Sequence, residues 1–142
     1  MAGLHPRLQE DCIRLGRFDL CHLLLMNDSS YPWFILVPDR EGIREIHELE
    51  AADRYLLLDE SCRLSGFLMA EYKGDKLNVA AIGNLVSQLH LHHVVRYHSD
   101  RAWPSPVWGL YPAVAYGDTA LAGIGAKFAA SGLTGFQSVP ES

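Results

Sequence analysis

Residues 55–72 carry the pattern that most limits what this chain can fold into. Tyr55, Leu58, Cys62, Ser65, Met69 and Tyr72 recur at a 3-4-3-4-3 spacing, and Leu57, Leu64 and Leu68 widen the stripe. That period predicts a long amphipathic helix, closed by Gly74. Such a helix needs a second layer to cover its apolar side, and the flanking segments read as strands. "FDLCHLLLM" and "WFILV" are apolar runs joined by the turn-rich "NDSSYP", which predicts a hairpin with strands near 18–26 and 33–37, ended by Pro38 and "DREG". After the helix, "KLNVAAI" and "VSQLHLHHVV" read as two more strands, separated by "GN".

The ends are less regular. Pro6 suits a first helical position, Leu8, Cys12 and Leu15 follow helical spacing, and Gly16 supplies a stop, so 6–15 is expected to be a short helix. "RYHSDRAWPSPVWGLYP" resists assignment, and "GDTALAGIGAKFAASGL" predicts a final helix capped by Asp118. With no repeat or linker, the pattern supports one α+β domain over residues 1–142, built on an antiparallel sheet.

Composition narrows the function. Twelve basic against seventeen acidic residues give a net charge of −5, which argues against gripping long nucleic acid through its phosphates. A small phosphate ligand is still open, because backbone amides can hold one. Cys12, Cys21 and Cys62 make an odd count without a C-x-x-C pair, so reduced thiols in a cytoplasmic protein are the simplest reading. The polar start "MAGLHPRLQED" lacks a signal-peptide core, and no apolar run reaches the ~18 residues that a membrane span needs.

The chemistry-bearing stretch is "VSQLHLHHVVRY", residues 86–97. Strand alternation puts Gln88, His90 and His92 on one face and Leu89, Leu91, His93 and Val95 on the other. The second face should pack on the long helix, which makes His93 a hydrogen-bonded core histidine. For His90 and His92 three readings compete. They are ordinary half-exposed strand histidines, or two ligands of a metal, or groups of a nucleophilic site. A metal would want a third ligand, and none follows at a recognisable spacing, with Cys21 and His22 only unspecific candidates. No metal and no cofactor is therefore expected. A neutral imidazole whose other nitrogen donates to a fixed acceptor can attack phosphorus, given amide donors nearby for the phosphoryl oxygens. The glycine turn in "IGNLVSQLHLH" lies where such amides would be needed.

"GNLVSQLHLHHVV" resembles the signature strand of the histidine triad (HIT) family, His-x-His-x-His followed by apolar residues. "YPWFILVP" resembles the family's segment before its long helix, and "LN…GN" its approach to the triad. The resemblance covers roughly residues 18–98 in the same order of elements, leaving 99–142 as a variable C-terminal segment. It implies a five-stranded antiparallel sheet with the long helix on one face, short terminal helices and a homodimer. It further implies a hydrolase or nucleotidyl transferase acting on a small nucleotide, of the dinucleoside polyphosphate or nucleoside phosphoramidate type. His90 would match the nucleophile that attacks the α-phosphorus. His92 would match the last triad histidine, holding and protonating the bridging oxygen.

Two positions depart from the family's pattern. Gln88 stands where the first triad histidine belongs and would steady the neighbouring groups. Trp33 stands where many members carry another active-site histidine, and it would wall the pocket, stack on a base or fill the core. By the same resemblance Asn78 would contact a phosphate or the ribose, and Gly83 with Asn84 would line the phosphate turn. Asp28 falls near the family's ribose-binding acid, although a turn aspartate is the better account of it. Gln88 and Trp33 keep open a nucleotide-binding protein with little turnover, or a dimeric interaction protein. Trp103 and Trp108, in "AWPSPVWG", would cover the pocket or join a dimer contact.

Overall fold

A computed structural model describes residues 3–139; residues 1–2 and 140–142, the extremities of the domain expected from the sequence, lie outside the described residues. The elements run α1 (Pro6–Asp11), β1 (Cys12–Arg17), β2 (Cys21–Met26), β3 (Trp33–Pro38), a single 3₁₀ turn (Ile46–Glu48), α2 (Ala51–Tyr72), β4 (Lys76–Ala80), β5 (Leu91–Arg96), α3 (Asp118–Ala129) and β6 (Gln137–Ser138). The strands form one antiparallel sheet in the order β4-β5-β3-β2-β1-β6. This is the α+β arrangement the sequence implies, with six strands in place of five; the extra one is the two-residue β6 on the β1 edge.

The long helix is where expected, but its inward side is not the 3-4-3-4-3 row. Tyr55 and Leu58 are 75% and 63% exposed, and Cys62 is exposed as well, whereas Leu57, Glu60, Ser61, Leu64 and Leu68 are buried. Both rows have helical periodicity. The second is buried against Leu23, Leu25, Phe34, Leu36, Leu91 and Val95 on the sheet, while the first reaches that cluster only at its end, through Met69 and Tyr72. Glu60 is invisible to a hydrophobicity count, yet it is fully buried. Its two carboxylate oxygens accept the main-chain N–H groups of Leu20 and Cys21, each at 2.9 Å, which ties α2 to the start of β2. Burial raises its pKa, and the two N–H donors oppose that rise. Glu60→Ala should cost about 2–6 kcal/mol by leaving two buried N–H groups unpaired, measured as a lower midpoint in urea unfolding.

Three other expectations change. The helix at 6–15 ends at Asp11, because Cys12–Arg17 pairs with β2 as a strand. Local spacing there loses to sheet pairing, with Ile13 and Leu15 turned to the α2 side and Cys12 to the other. The strand at 86–95 starts only at Leu91, so residues 81–90 form an irregular loop leading into it. Asp118 does not cap α3; it is the first helical residue, after an N-cap Gly117.

The sheet face away from α2 carries a second apolar cluster. Leu24, Trp33, Ile35, Val37 and Val94 pack there beneath Leu8, Val86, Ala102 and Val107. Arg96 braces this cover from below. Its guanidinium, 1% exposed, pairs with Asp100 at 2.8 Å and donates to the carbonyl of Ser105 and to Asn78. Among the described residues no helix is long and apolar enough to cross a membrane.

Candidate active site

The second face also carries the two histidines of the Gln-His-His row. His90 and His92 lie edge to face, with ring centroids 4.9 Å apart, and both are buried. His90 directs Nδ1 at the carbonyl oxygen of Gln88, 2.7 Å away. A carbonyl can only accept, so Nδ1 carries the proton and Nε2 keeps its lone pair. Nε2 makes no hydrogen bond among the described residues, and His90 lines a small polar cleft of about 70 Å³ with Gly83, Asn84, Ser87 and Gln88.

The loop before β5 gives this cleft its amides. No main-chain N–H of residues 83–88 donates a hydrogen bond among the described residues. A run of undirected N–H groups beside an imidazole lone pair is a ready receptor for phosphoryl oxygens. Gly83 is packed so closely that a Cβ there would stand 2.6 Å from the Val86 carbonyl oxygen and 3.0 Å from Cε1 of His90. Gly83→Ala must therefore move the loop or the nucleophile. It should lower turnover by about 10–100-fold with a much smaller change in melting temperature, both read on one purified variant.

His92 is held at both nitrogens. Trp33 donates its indole N–H to Nδ1 at 3.0 Å, which makes Nδ1 an acceptor and leaves the proton on Nε2, 3.0 Å from the carbonyl oxygen of Ile82. The ring also packs against Trp108, at a centroid distance of 5.3 Å, and Trp33 and Trp108 meet at 5.7 Å. Burial lowers the His92 pKa to about 4, and the neighbouring His90 adds to that. His92 is thus a neutral Nε2–H donor near pH 7. Its one proton is directed at the Ile82 carbonyl, so the expected role of holding and protonating a substrate oxygen requires that hydrogen bond to open first. Trp33, 7% exposed, is a core side chain that also fixes the His92 tautomer, which the sequence reading missed.

The other candidates are more dispersed. The side chain of Gln88 turns away from both imidazoles, and only its carbonyl oxygen steadies His90. Asn78, opposite Val94 on β4, accepts from Arg96 at 2.9 Å. Its oxygen is therefore engaged, and only its amide N–H groups are left for a ligand. Asp28 is buried at the β2–β3 turn, where its carboxylate accepts from the N–H groups of Ser30 and Val114 at 3.1 and 3.2 Å. It is the turn aspartate, and it tethers the C-terminal segment. Trp103 lies over Arg96 and beside His98, apart from the imidazole pair. His93 is in the α2 core, taking a 2.7 Å hydrogen bond from the Ser61 hydroxyl. Cys21 faces α2 while His22 faces the other way, and no three His, Cys, Asp or Glu side chains gather as a metal site among the described residues.

A model of the HIT domain matches residues 7–99. The chain belongs to the histidine triad (HIT) family. Members are generally nucleotide hydrolases or transferases, and solved HIT structures match most of this chain. A histidine triad protein from Marinobacter aquaeolei is 53% identical, with a TM-score of 0.88, covering 90% of this chain and 93% of that one. One from Bradyrhizobium japonicum is 42% identical at TM-score 0.85, covering 87% and 92%. A HIT protein from Sinorhizobium meliloti is 38% identical at TM-score 0.86, covering 88% and 93%. No curated protein matches the chain. In this HIT chain the indole of Trp33 supplies the donor that directs His92.

Proposed function

We propose that this HIT protein cleaves a small nucleotide at its α-phosphorus through a nucleotidyl-histidine on His90. The observation that carries the reading is the 2.7 Å hydrogen bond from His90 Nδ1 to the Gln88 carbonyl, which leaves the Nε2 lone pair for attack. In the first step a bond forms from Nε2 to phosphorus, and the bond from phosphorus to the leaving group breaks. The leaving amine or phosphate departs with the electron pair and takes a proton from solvent at the cleft mouth. Nδ1–H stays on the Gln88 carbonyl and shares the positive charge of the substituted ring. Water then attacks the same phosphorus and gives up a proton to solvent as the bond from phosphorus to Nε2 breaks, which releases mononucleotide and restores the lone pair of Nε2. The free N–H groups of residues 83–88 would hold the non-bridging oxygens as charge builds on them, with His92 packed against the His90 ring. Asn78 would offer its amide N–H groups to the substrate.

Nucleoside phosphoramidates and dinucleoside polyphosphates fit this scheme, since each carries an α-phosphorus with a separable leaving group. Reduced, unpaired thiols suit a cytoplasmic protein acting on the nucleotides there. Homodimer formation would use the outward side of α2, where Tyr55 and Leu58 are exposed, together with the unpaired edge of β4, where Val79 is 46% exposed.

Acid-quenched mass spectrometry of the protein mixed with an adenosine phosphoramidate tests the reading. An adenylyl adduct on the peptide containing His90 is expected. Turnover without that adduct, or an adduct at another residue, would overturn the mechanism. One observation favours a second reading, a nucleotide binder without turnover. The apolar face beside His92 is already filled by Trp33 and Trp108. That protein would show a rise in melting temperature with nucleotide and release no product.

A further inference from the structure

The side chain of Gln88 performs a task that a histidine could not. Its Nε2 donates to the carbonyl oxygen of Gly3, and its Oε1 accepts from the N–H of His5, both at 2.9 Å. One planar amide thus exchanges two hydrogen bonds with the main chain of a segment more than 80 positions away. A neutral imidazole also has one donor and one acceptor, but they lie on opposite sides of the ring and cannot meet a single backbone stretch in this way. The clamped segment leads into α1, whose Leu8 is buried on the second sheet face with Leu4 packed beside it.

This strap borders a groove of about 430 Å³, lined by Leu4 and His5 on one side, Gly42 and Arg44 on the other, and Ser87 and Gln88 at its floor. Arg44, Ser87 and Gln88 also line the small cleft that contains His90. The groove therefore adjoins the cleft that contains His90. It is large enough for a side group of amino-acid size, which the 70 Å³ cleft is not. Arg44 has a 68% exposed side chain whose one ion pair among the described residues is a loose 3.9 Å contact with Glu48. Its guanidinium is available to an anion. Glu41 borders the same groove, so a cationic tail could use it, but the strap side contributes no acid.

We propose that Gln88 determines leaving-group specificity, by clamping residues 3–5 as the wall of a groove that receives a leaving group of amino-acid size with an anionic end directed at Arg44. This rests on the α-phosphorus chemistry proposed above and adds the identity of the departing half. Gln88 acts here as a positioning residue, through the strap, and the strap forms the contact.

The test compares two substrates in the wild-type protein, Gln88→Ala and His5→Pro. One substrate is adenosine 5′-phosphoramidate, which releases ammonia, and the other carries phenylalanine through its amino group. His5→Pro removes the strap's N–H donor while its φ of −54° already suits proline, so it breaks the clamp without touching Gln88. Both variants should lower the kcat/KM ratio of the phenylalanine substrate to the ammonia substrate by about tenfold. Hydrogen exchange over residues 3–11 should quicken in Gln88→Ala. Loss of a purely structural contact would slow both substrates alike and leave the ratio unchanged, and that result overturns the proposal. So does unchanged exchange in Gln88→Ala, or a ratio that falls in Gln88→Ala alone. Should the wild-type protein turn over neither substrate, the α-phosphorus reading fails and this inference with it. Turnover of both with one ratio in all three proteins fails the inference alone.

Discussion

His90→Ala should reduce mononucleotide release by at least about 10⁴-fold, since it removes the atom that forms the bond to phosphorus rather than one that assists it. The fold should survive. Among the described residues the imidazole makes one hydrogen bond, to the Gln88 carbonyl, and that carbonyl can take a proton donor from the adjoining cleft once the ring is gone. Purified H90A is therefore expected to melt within a few degrees of the wild-type protein and to bind nucleotide, while the adduct disappears. His90→Gly sharpens the test. Free imidazole added to that variant should enter the space left by the ring and restore some product release, with no adduct on the protein. A variant that keeps within tenfold of wild-type activity would show that the nucleophile lies elsewhere. The remaining candidate, His92, is poorly placed for that role. Its Nδ1 is occupied by Trp33 and its Nε2 carries the proton, so it has no lone pair to offer without first breaking the indole hydrogen bond.

The face assignments within the histidine strand were readable from the sequence because alternation is local. Leu89, Leu91 and Val95 join the α2 core, His93 sits with them, and His90 and His92 take the other side. What could not be read was set by pairing between distant segments. Leu8, Cys12 and Leu15 fit a helix by spacing, but β2 supplies ladder hydrogen bonds to Cys12–Arg17 and the strand wins. On α2 two rows had comparable periodicity, and only the sheet selects the one containing Leu57, Leu64 and Leu68. The site shows the same division. His90, His92 and Gly83 come together through a single loop and strand. Trp33 reaches His92 from β3, and the strap reaches Gln88 across 83 and 85 positions. Asn78 was placed on a neighbouring strand correctly, yet its oxygen was already committed to Arg96, whose burial nothing in "VVRYHSD" announces.

Acid should unfold this protein well before its carboxylates are protonated. His92 and His93 are both buried and neutral, and desolvation lowers each pKa to about 4 from a usual value of 6.5. The sign follows from proton counting. Between pH 6.5 and pH 4 the unfolded chain binds a proton at each position and the folded chain does not, so stability is complete above pH 6.5 and is lost as pH falls towards 4. Each histidine accounts for about 3 kcal/mol over that window, and the pair together for roughly half of a typical domain's stability. His22, whose ring nitrogens are buried without a hydrogen-bond partner among the described residues, is shifted downward as well and adds in the same direction. Urea unfolding at pH 7.0, 5.5 and 4.5 measures the effect, with the steepest slope approaching about 2.7 kcal/mol per pH unit when two protons are taken up together. His93→Gln separates the contributions. It should start less stable at pH 7, because the Ser61 hydroxyl and the Leu91 carbonyl lose a matched partner, yet fall less steeply between pH 6.5 and 4. A wild-type stability that stays flat across that window would mean that the imidazoles are hydrated in solution. The tautomer that Trp33 imposes on His92 could then not be what keeps this site neutral, since water at Nδ1 would stabilise the cation and compete with the indole for the ring.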